Sequence, residues 1–409
     1  MSLSEEQISI IKATVPVLAE HGNTITTEFY QTMLNENPEL YNIFNKTKQV
    51  NGHQPRALAG ALYAYAANID NLGALSGALE NITQKHASLF VTPEQYDIVG
   101  KYLLEAMGRV LGEALTPAVL EAWTQAYTLL AGVMIEQERK LYAAHAEWAD
   151  WKEFEVSKKV PESEEVTSFY LKPVDGQPLP SYRPGQYISV RAHVPNFSYL
   201  QARQYSLSDA HLGGVYRISV KRDDGLHIAE GATTTQRGLV SNMLHGLNVG
   251  DKVQVSHPHG DFYLSQAAID QSLPVVLISA GVGVTPLMSM LNYLVNSGSS
   301  QPISWIHGAR RSTSQAFDNH VKDICKTHSN VHCTVFIKNP SDKDVLGETY
   351  QHAGRVSLAA LDKKKDLFLG TEAEYYVCGP ESFMADIKKD LIENGVAESR
   401  VNLESFGAE

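Results

Sequence analysis

The spacing of apolar residues changes period twice along this chain, and that constrains the fold more than any single motif does. From residue 1 to about residue 148 the period is helical throughout. Ile8, Ile11, Val15 and Leu18 repeat at three- and four-residue intervals behind a capping box of Ser4 and Gln7. Leu58, Leu62, Tyr65 and Ile69 make a second stripe. Thr92-Pro93-Glu94-Gln95 supplies a cap, a first-turn proline and a third-position glutamine ahead of Tyr96, Val99, Leu103, Met107 and Val110. Thr116-Pro117 opens a last helix through Leu120, Trp123, Tyr127, Leu130 and Met134.

From about Trp151 the period falls toward two, in WKEFEVSKKV, VTSFYLKP, GQYISVRAHV, VYRISVKRDD and DKVQVSHPHG, with Pro, Gly and Asp turns between them. Short strands spaced in this way predict an antiparallel β-barrel. From about Leu273 strands and helices alternate: LPVVLISA, a helix over 285–295, PISWIHGA, a helix over 315–325, VHCTVFIK, a helical stretch to Leu361, EYYVCG and a helix over 382–393. Alternation predicts a doubly wound α/β domain with a mostly parallel sheet. The fold class expected is therefore multidomain: all-α over 1–148, an antiparallel β-barrel over 149–268 and α/β over 269–409, with boundaries within 147–151 and 265–272. A chain of 409 residues is also too long for one ordinary core.

The net charge of -12, uninterrupted by a basic run, repels phosphate backbones and anionic membranes, so nucleic acid is not an expected partner. The start, MSLSEEQISIIK, lacks the basic region of a secretory signal, and no stretch is read as the roughly 18 apolar residues of a membrane span. The expectation is a cytoplasmic protein. Cys325, Cys333 and Cys378 fit a reducing compartment, argue against a disulfide framework and do not compose a zinc site.

Four histidines, His21, His53, His86 and His145, fall in the helical third, and spacing does not choose a metal ligand among them. Glu138 is more informative. It lies eleven residues after Tyr127 and four after Met134, which puts it on the apolar face at about 100° per residue. Either the helix end has turned into solvent, or Glu138 is a buried acceptor for an imidazole N–H, which would raise the electron density of a metal-bound histidine.

In the barrel segment Arg203-Gln204-Tyr205-Ser206 reads as the start of a strand. Some 30 residues on, Gly238-Leu239-Val240-Ser241 opens a short helix whose free N–H groups suit a pyrophosphate. Gln186-Tyr187 sits in a Pro-Gly turn leading into another strand. The strand Val275 to Ala280 runs straight into Gly281, Val282, Gly283, Val284, Thr285 and Pro286 and then a helix, the context a dinucleotide motif requires, although Pro286 stands where a third glycine would be. Cys378-Gly379-Pro380 closes a later strand. Arg310 and Arg311 end the strand at which a reader of the ribose 2'-hydroxyl would be acidic; they suit either a 2'-phosphate or plain solvated loop charges, and NADH and NADPH both stay open.

Taken in order, TTEFYQTML, NPELYNIFN, NGHQPRAL, ITQKHAS, TPEQYDIVGKYLL and EAWTQAY resemble the globin part of the flavohaemoglobins, and RQYS, GLVS, GVGVTP and CGP are similar to that family's ferredoxin-reductase-like part. The resemblance spans essentially the whole chain. It implies haem b held by His86, with Glu138 and Tyr96 hydrogen-bonded around that ligand. Tyr30 and Gln54 match the distal residues, Tyr30 donating to oxygen on the iron; Phe44 would pack on the porphyrin and Lys85 would lie on the electron route.

For FAD the resemblance implies that Arg203 meets the pyrophosphate, Tyr205 packs on the isoalloxazine and Ser206 approaches its N5, with Tyr187, Gln204, Gly238, Val240 and Ser241 also in contact. The segment Gly281 to Pro286 and Cys378, Gly379 and Pro380 would take NAD(P)H. Glu404-Ser405-Phe406-Gly407 resembles the family's C-terminal signature, Phe406 covering the flavin and Glu404 standing between flavin and haem; Ala408 replaces the usual proline. The polar loop from Leu226 to Gln236 is longer than most of the family carries and receives no role. The activity implied is a monomeric nitric oxide dioxygenase: NAD(P)H reduces FAD, FAD reduces haem iron, and dioxygen there oxidises nitric oxide to nitrate. The alternatives are an alkylhydroperoxide or ferric reductase on the same electron route, or a gas sensor, against which the complete reductase argues.

Overall fold

A computed structural model describes residues 2–44, 49, 52–195, 198–211, 213–225 and 237–406; the loop from Leu226 to Gln236, Gly407 and Ala408 thus lie outside the described residues. Two compact units divide the chain, one of residues 1–152, 189–203 and 408–409, the other of 153–188 and 204–407.

The first unit carries α1 (Glu5–Ala13), α2 (Val15–Glu36), α3 (His53–Ala67), α4 (Ser76–Ala87), α5 (Pro93–Leu111) and α6 (Pro117–Ala144). Both capping boxes form, at Ser4 with Gln7 and at Thr92 with Gln95. The first apolar stripe is divided between two helices. Pro16 has no N–H to continue α1, and the Thr14 hydroxyl donates instead to the Ile11 carbonyl at 2.6 Å. Ile11, Leu18, Ile25, Phe29, Met33, Leu103, Met107 and Trp123 make the core. Helices α5 and α6 meet where a Cβ at Gly100 would stand 2.4 Å from Cε1 of Tyr127, so only glycine fits that crossing. Helix α6 is long and apolar enough, by length and composition alone, to cross a membrane, which amends the expectation that no stretch has that character. Its Ala122, Trp123 and Ala126 are spent in the helical core.

The first sheet is built from β1 (Lys152–Pro161), β2 (Val166–Pro173), β3 (Tyr187–His193), β4 (Leu200–Ser206), β5 (Tyr216–Lys221) and β6 (Lys252–Val255), in the order β4-β3-β6-β1-β2-β5. β2 runs antiparallel to both β1 and β5, with a register shift in β1 between Val156 and Lys158. Phe154 and Val156 alternate inward, as do Phe169 and Leu171. Helix α7 (Leu239–Gly246) follows β5 in the chain. Arg203 to Ser206 form the end of β4, not the start of a strand: Gln201 and Ala202 before them already follow the extended pattern.

After α8 (Gln266–Asp270) the second sheet takes β7 (Val275–Ala280), β8 (Ile303–Ala309), β9 (Val331–Ile337), β10 (His352–Ala353), β11 (Glu374–Gly379) and β12 (Val401–Ser405), in the order β10-β9-β8-β7-β11-β12. Every pairing is parallel. Helices α9 (Val284–Asn296), α10 (Asp318–Thr327) and α11 (Glu381–Glu393) cover it. Val275, Leu277 and Trp305 enter one core, and Val276, Ile278 and Ile306 the other, which is why these strands read as unbroken apolar runs.

Two expectations fail here. The helical stretch to Leu361 is replaced by turns, β10 and a short 3-10 turn at Leu358–Ala360, because Gly347 and Gly354 take φ of +88° and +110° within it. Cys325 and Cys333 are paired as a disulfide, against the expectation of a reducing compartment without a disulfide framework. Cys325 on α10 and Cys333 on β9 have Cα atoms 6.6 Å apart, a proximity that the packing of α10 beside β9 creates and compartment rules do not anticipate. Cys378 is the free, buried cysteine.

Candidate functional site

His86 closes α4, with Tyr96 from the first turn of α5 and Glu138 from the last third of α6 packed around one edge of its ring. Nδ1 of His86 stands 2.9 Å from the Tyr96 hydroxyl and 3.0 Å from Oε1 of Glu138, and the Tyr96 hydroxyl donates to the same oxygen at 2.5 Å. A carboxylate only accepts, so Nδ1 carries the ring proton. In the neutral imidazole that leaves Nε2 with its lone pair exposed, the form that binds a metal. The Glu138 side chain is 3% exposed and that of His86 33%, so the acceptor is buried while the ring keeps an open edge. The first of the two readings of Glu138, a helix end turned to solvent, is thereby excluded. Burial, followed by the Glu138 carboxylate, holds the Tyr96 phenol far above its usual range. Two hydroxyls that the sequence did not single out brace the arrangement: Tyr127 donates to the Tyr96 carbonyl at 2.5 Å and Tyr142 to that of Val91 at 2.8 Å.

Tyr30, on α2, is buried beside Phe29 and Phe44, ring centroids 4.6 and 5.6 Å away. Burial raises its phenol well above the ordinary value, opposed by a hydrogen bond with the Gln54 side chain. Gln54, second residue of α3, accepts from the Gln49 amide at 2.8 Å. Lys85 precedes His86 on α4 and is half-buried. Among the described residues no group of three or more His, Cys, Asp or Glu side chains could hold a metal ion. An iron here needs a ligand set that asks the protein for one nitrogen, and an imidazole oriented through Nδ1 with its ring partly open fits haem.

In the second unit the Leu207 N–H, just past β4, donates to the Gln186 carbonyl at 2.9 Å, tying Gln204, Tyr205 and Ser206 to the Tyr187 strand. Tyr187 and His259 exchange both backbone hydrogen bonds at 2.8 Å, and the Tyr187 ring lies over Gly260, where a Cβ would meet it at 3.0 Å. His257 and His259 have ring centroids 4.3 Å apart, a pair to which the period-two pattern of DKVQVSHPHG assigns no role. Arg203, the last residue of this stretch of the first unit, donates to the Ala202 carbonyl at 2.7 Å. At Gly238 a Cβ would collide with Ser241 Oγ at 2.6 Å and with the Asp223 side chain at 2.8 Å. Val240 is buried beneath that turn. Residue 238 is glycine because it packs directly on Asp223 and Ser241, and its N–H donates to the Asp223 carbonyl at 3.0 Å.

The loop after β7 meets the end of β11. Gly281 has φ +57°, and a Cβ on Gly283 would stand 2.3 Å from the Cys378 carbonyl oxygen. Gly379 is as constrained, with Phe383 at 2.7 Å, and Pro380 caps α11. Val282 accepts the Thr285 hydroxyl at 3.1 Å, while Val284, Thr285 and Pro286 are buried at the start of α9. Two loops pressed together without side chains at their contact suit a dinucleotide's phosphates. Burial, with Glu404 adding to it, pushes the Cys378 thiol well above its normal value. Glu404 and Ser405 pair in register with Cys378 and Gly379 across β11 and β12, and Phe406 stands 44% exposed. Arg310, 55% exposed, pairs with the Glu165 carboxylate, which also pairs with Lys221 at 3.0 Å.

Family models match the chain in three stretches: globin over 27–134, an oxidoreductase FAD-binding domain over 153–263 and an oxidoreductase NAD-binding domain over 277–389. A flavohemoprotein of Rhizobium meliloti is 44% identical over 410 residues, covering 99% of this chain and 98% of the relative. The chain belongs to the flavohaemoprotein family. The flavohemoglobin of Malassezia yamatoensis, solved with bound FAD and heme, superposes with a TM-score of 0.86 at 30% identity over the whole of both chains. The FAD/NAD-binding part of nitric oxide dioxygenase from Vibrio cholerae superposes at 0.54 with 35% identity, covering 63% of this chain and 99% of that one. Like its family, this flavohaemoprotein is an oxidoreductase built from a globin, a flavin barrel and a nicotinamide-binding α/β part, with haem, FAD and NAD(P)H as its cofactors.

Proposed function

We propose that this flavohaemoprotein is a nitric oxide dioxygenase, using NAD(P)H and dioxygen to convert nitric oxide to nitrate. The observation that carries the reading is the buried Glu138 carboxylate accepting from His86 Nδ1 at 3.0 Å. Haem would supply a redox iron, and FAD the exchange between the paired electrons of a nicotinamide and the single electrons that iron takes. His86 would hold the iron through Nε2. Glu138 and Tyr96 fix the ring's tautomer and rotation and make it a more basic ligand, which favours oxygen chemistry over reversible carriage.

Tyr30 stays protonated at any physiological pH because burial disfavours its phenolate, so it serves as a fixed donor with Gln54 beside it and Phe44 as an apolar wall. Lys85 and Glu404 would lie along the electron route. Tyr187, Arg203, Gln204, Tyr205, Ser206, Gly238, Val240 and Ser241 would hold FAD, with Ser405 and Phe406 near it. The run from Gly281 to Pro286, with Cys378, Gly379 and Pro380, would hold NAD(P)H. The reading includes a cytoplasmic location and a monomer, the latter because one chain carries the sequence motifs for all three cofactors.

The test is nitrate formation from nitric oxide, dioxygen and NADH by the purified chain, expected to be lost in His86→Ala. Haem-loaded protein that oxidises NADH yet leaves nitric oxide untouched would reject the reading.

A further inference from the structure

A buried polar network ties the helix of the dinucleotide loop to the strand end that follows Ser206, and nothing above assigns it a task. Asp209 lies three residues past Ser206. Its Oδ2 pairs with Nη1 of Arg217 at 2.9 Å, the two side chains only 12% and 8% exposed. Its Oδ1 accepts from the Ala210 N–H at 2.9 Å and from Nδ2 of Asn292 at 2.7 Å. Its main-chain oxygen takes two hydroxyls, Tyr182 at 2.7 Å and Ser289 at 2.6 Å. Arg217, on β5, also donates to the Ser208 hydroxyl at 3.2 Å and to the Ser208 carbonyl, and lies over the Phe317 ring. Oδ1 of Asn292 accepts from Nε2 of His320, on α10, at 2.7 Å.

An ion pair withdrawn from water contributes little net stability even when fully hydrogen-bonded, and an apolar contact would join the same elements at no greater cost. What the polar version adds is direction: it admits one register, where packed methyl groups tolerate sliding. Asn292 is the member that donates on one side and accepts on the other, so it alone reads the barrel residue Asp209 and the α10 residue His320 together. Ser289 and Asn292 sit one and two turns after Thr285 on α9. Seven helical residues at about 1.5 Å each make a stiff arm of roughly 10 Å from the network to the loop of Gly281 to Pro286.

We propose that Asn292 is a positioning residue: it fixes α9, and with it the dinucleotide loop, against the strand end at Ser206, and so sets the separation across which the hydride passes from nicotinamide to flavin. The inference rests on the assignment of those two segments to the two cofactors. In that transfer the nicotinamide carbon gives up one hydrogen with its electron pair and becomes the oxidised ring, and the flavin receives both. The reacting atoms must come within about 3–3.5 Å, and an error near 1 Å costs about 100-fold in rate. The side-chain hydrogen bonds of Asn292 go to Asp209 and His320, outside both cofactor segments, so it governs the rate of transfer and not the affinity for the dinucleotide.

The test uses the FAD- and haem-loaded full chain, mixed anaerobically with NADH and followed by flavin absorbance. Asn292→Leu, with the same branching at Cγ but bulkier and unable to hydrogen-bond, is expected to lower the limiting rate of flavin reduction by about 10- to 100-fold. The apparent Kd for NADH should stay within about twofold and the FAD content should not change. The long-wavelength charge-transfer band of reduced flavin with NAD⁺, which reports ring stacking and not turnover, should weaken in parallel. If Asn292→Leu does not fold, Ser289→Ala removes a single oxygen from the same network and should lower the same rate by a smaller factor without moving Kd. A limiting rate equal to wild type in either folded variant overturns the proposal, as does a rate that falls only in step with NADH affinity. Flavin reduction is read without nitric oxide, so failure to make nitrate would count against the dioxygenase reading and not against this one.

Discussion

Oε1 of Glu138 lies 3.0 Å from Nδ1 of His86, although 52 residues separate them in the chain. The acceptor is nearly buried and also takes the Tyr96 hydroxyl, so its charge is spent on two donors. A charge-assisted hydrogen bond of this kind is about twice as strong as its neutral counterpart. Replacing Glu138 by Gln keeps the shape and removes the charge. In ferrous haem-loaded protein the iron–histidine stretch, measured by resonance Raman, should therefore fall, and nitric oxide turnover should drop by about 10- to 100-fold, the usual cost of losing such a partner. An unchanged stretch in Glu138→Gln would mean that the carboxylate braces the helices without acting on the ligand.

Gly283→Ala should disable the nicotinamide side and leave the globin intact. The added methyl would stand 2.3 Å from the Cys378 oxygen, 2.5 Å from its carbonyl carbon and 2.8 Å from the Gly379 nitrogen, all backbone atoms in a sheet that cannot yield. Forcing the two loops apart should cost about 1–3 kcal/mol of stability, as overpacking does. KM for NADH should rise steeply while the haem spectrum is unchanged. A variant with wild-type KM would show that these loops separate freely and do not jointly cradle the dinucleotide.

How far these sites were readable depends on whether a residue's partners are local. Glu138 stood out because helical geometry alone puts it on an apolar face, yet the residue that shares its charge, Tyr96, is 42 positions away and no period links the two. Gly283 was legible as a turn glycine after a strand, but its real constraint is the carbonyl of Cys378, brought in by a different βα unit. The Cys325–Cys333 bond escaped for the same reason, being a product of α10 packing beside β9. Strand–helix alternation alone predicts a helix before Leu361, whereas Gly347 and Gly354 at positive φ bend that segment into turns. The network around Asn292 left no trace in the pattern, since Asp209, Arg217 and His320 each look like ordinary surface polar residues until the two sheets are assembled.

Cys378 should resist alkylation in the native protein. Burial, then the nearby Glu404 charge, raise its thiol, so little thiolate exists at pH 8 and none of it is exposed. Iodoacetamide should label this position at least about tenfold more slowly in the folded chain than in urea, each pKa step removing a factor of ten in thiolate. Rapid labelling of native protein at Cys378 would mean that β11 and the loop at Gly283 open on the timescale of the reagent.

Acid should weaken the α/β part through His307. This imidazole is wholly buried on β8, with the Ser279 hydroxyl 2.8 Å from Nδ1, and burial pushes it down to about 4. In the unfolded chain it would titrate near 6.5. Between those values the unfolded state binds a proton that the folded state refuses, so stability rises with pH across this window. The contribution is complete above about pH 6.5 and is withdrawn as pH falls toward 4, amounting to about 2 kcal/mol already at pH 5. His245 and His320 are lowered by burial too and add to the trend in the same direction. Urea unfolding of the full chain at pH 7 and pH 5, with hydrogen exchange read over β7 and β8, should show the loss. His307→Asn should reduce the difference between the two pH values by about that amount without abolishing it. Identical pH dependence in the variant and the wild type would assign the acid sensitivity to other groups and leave His307 titrating as it does in water.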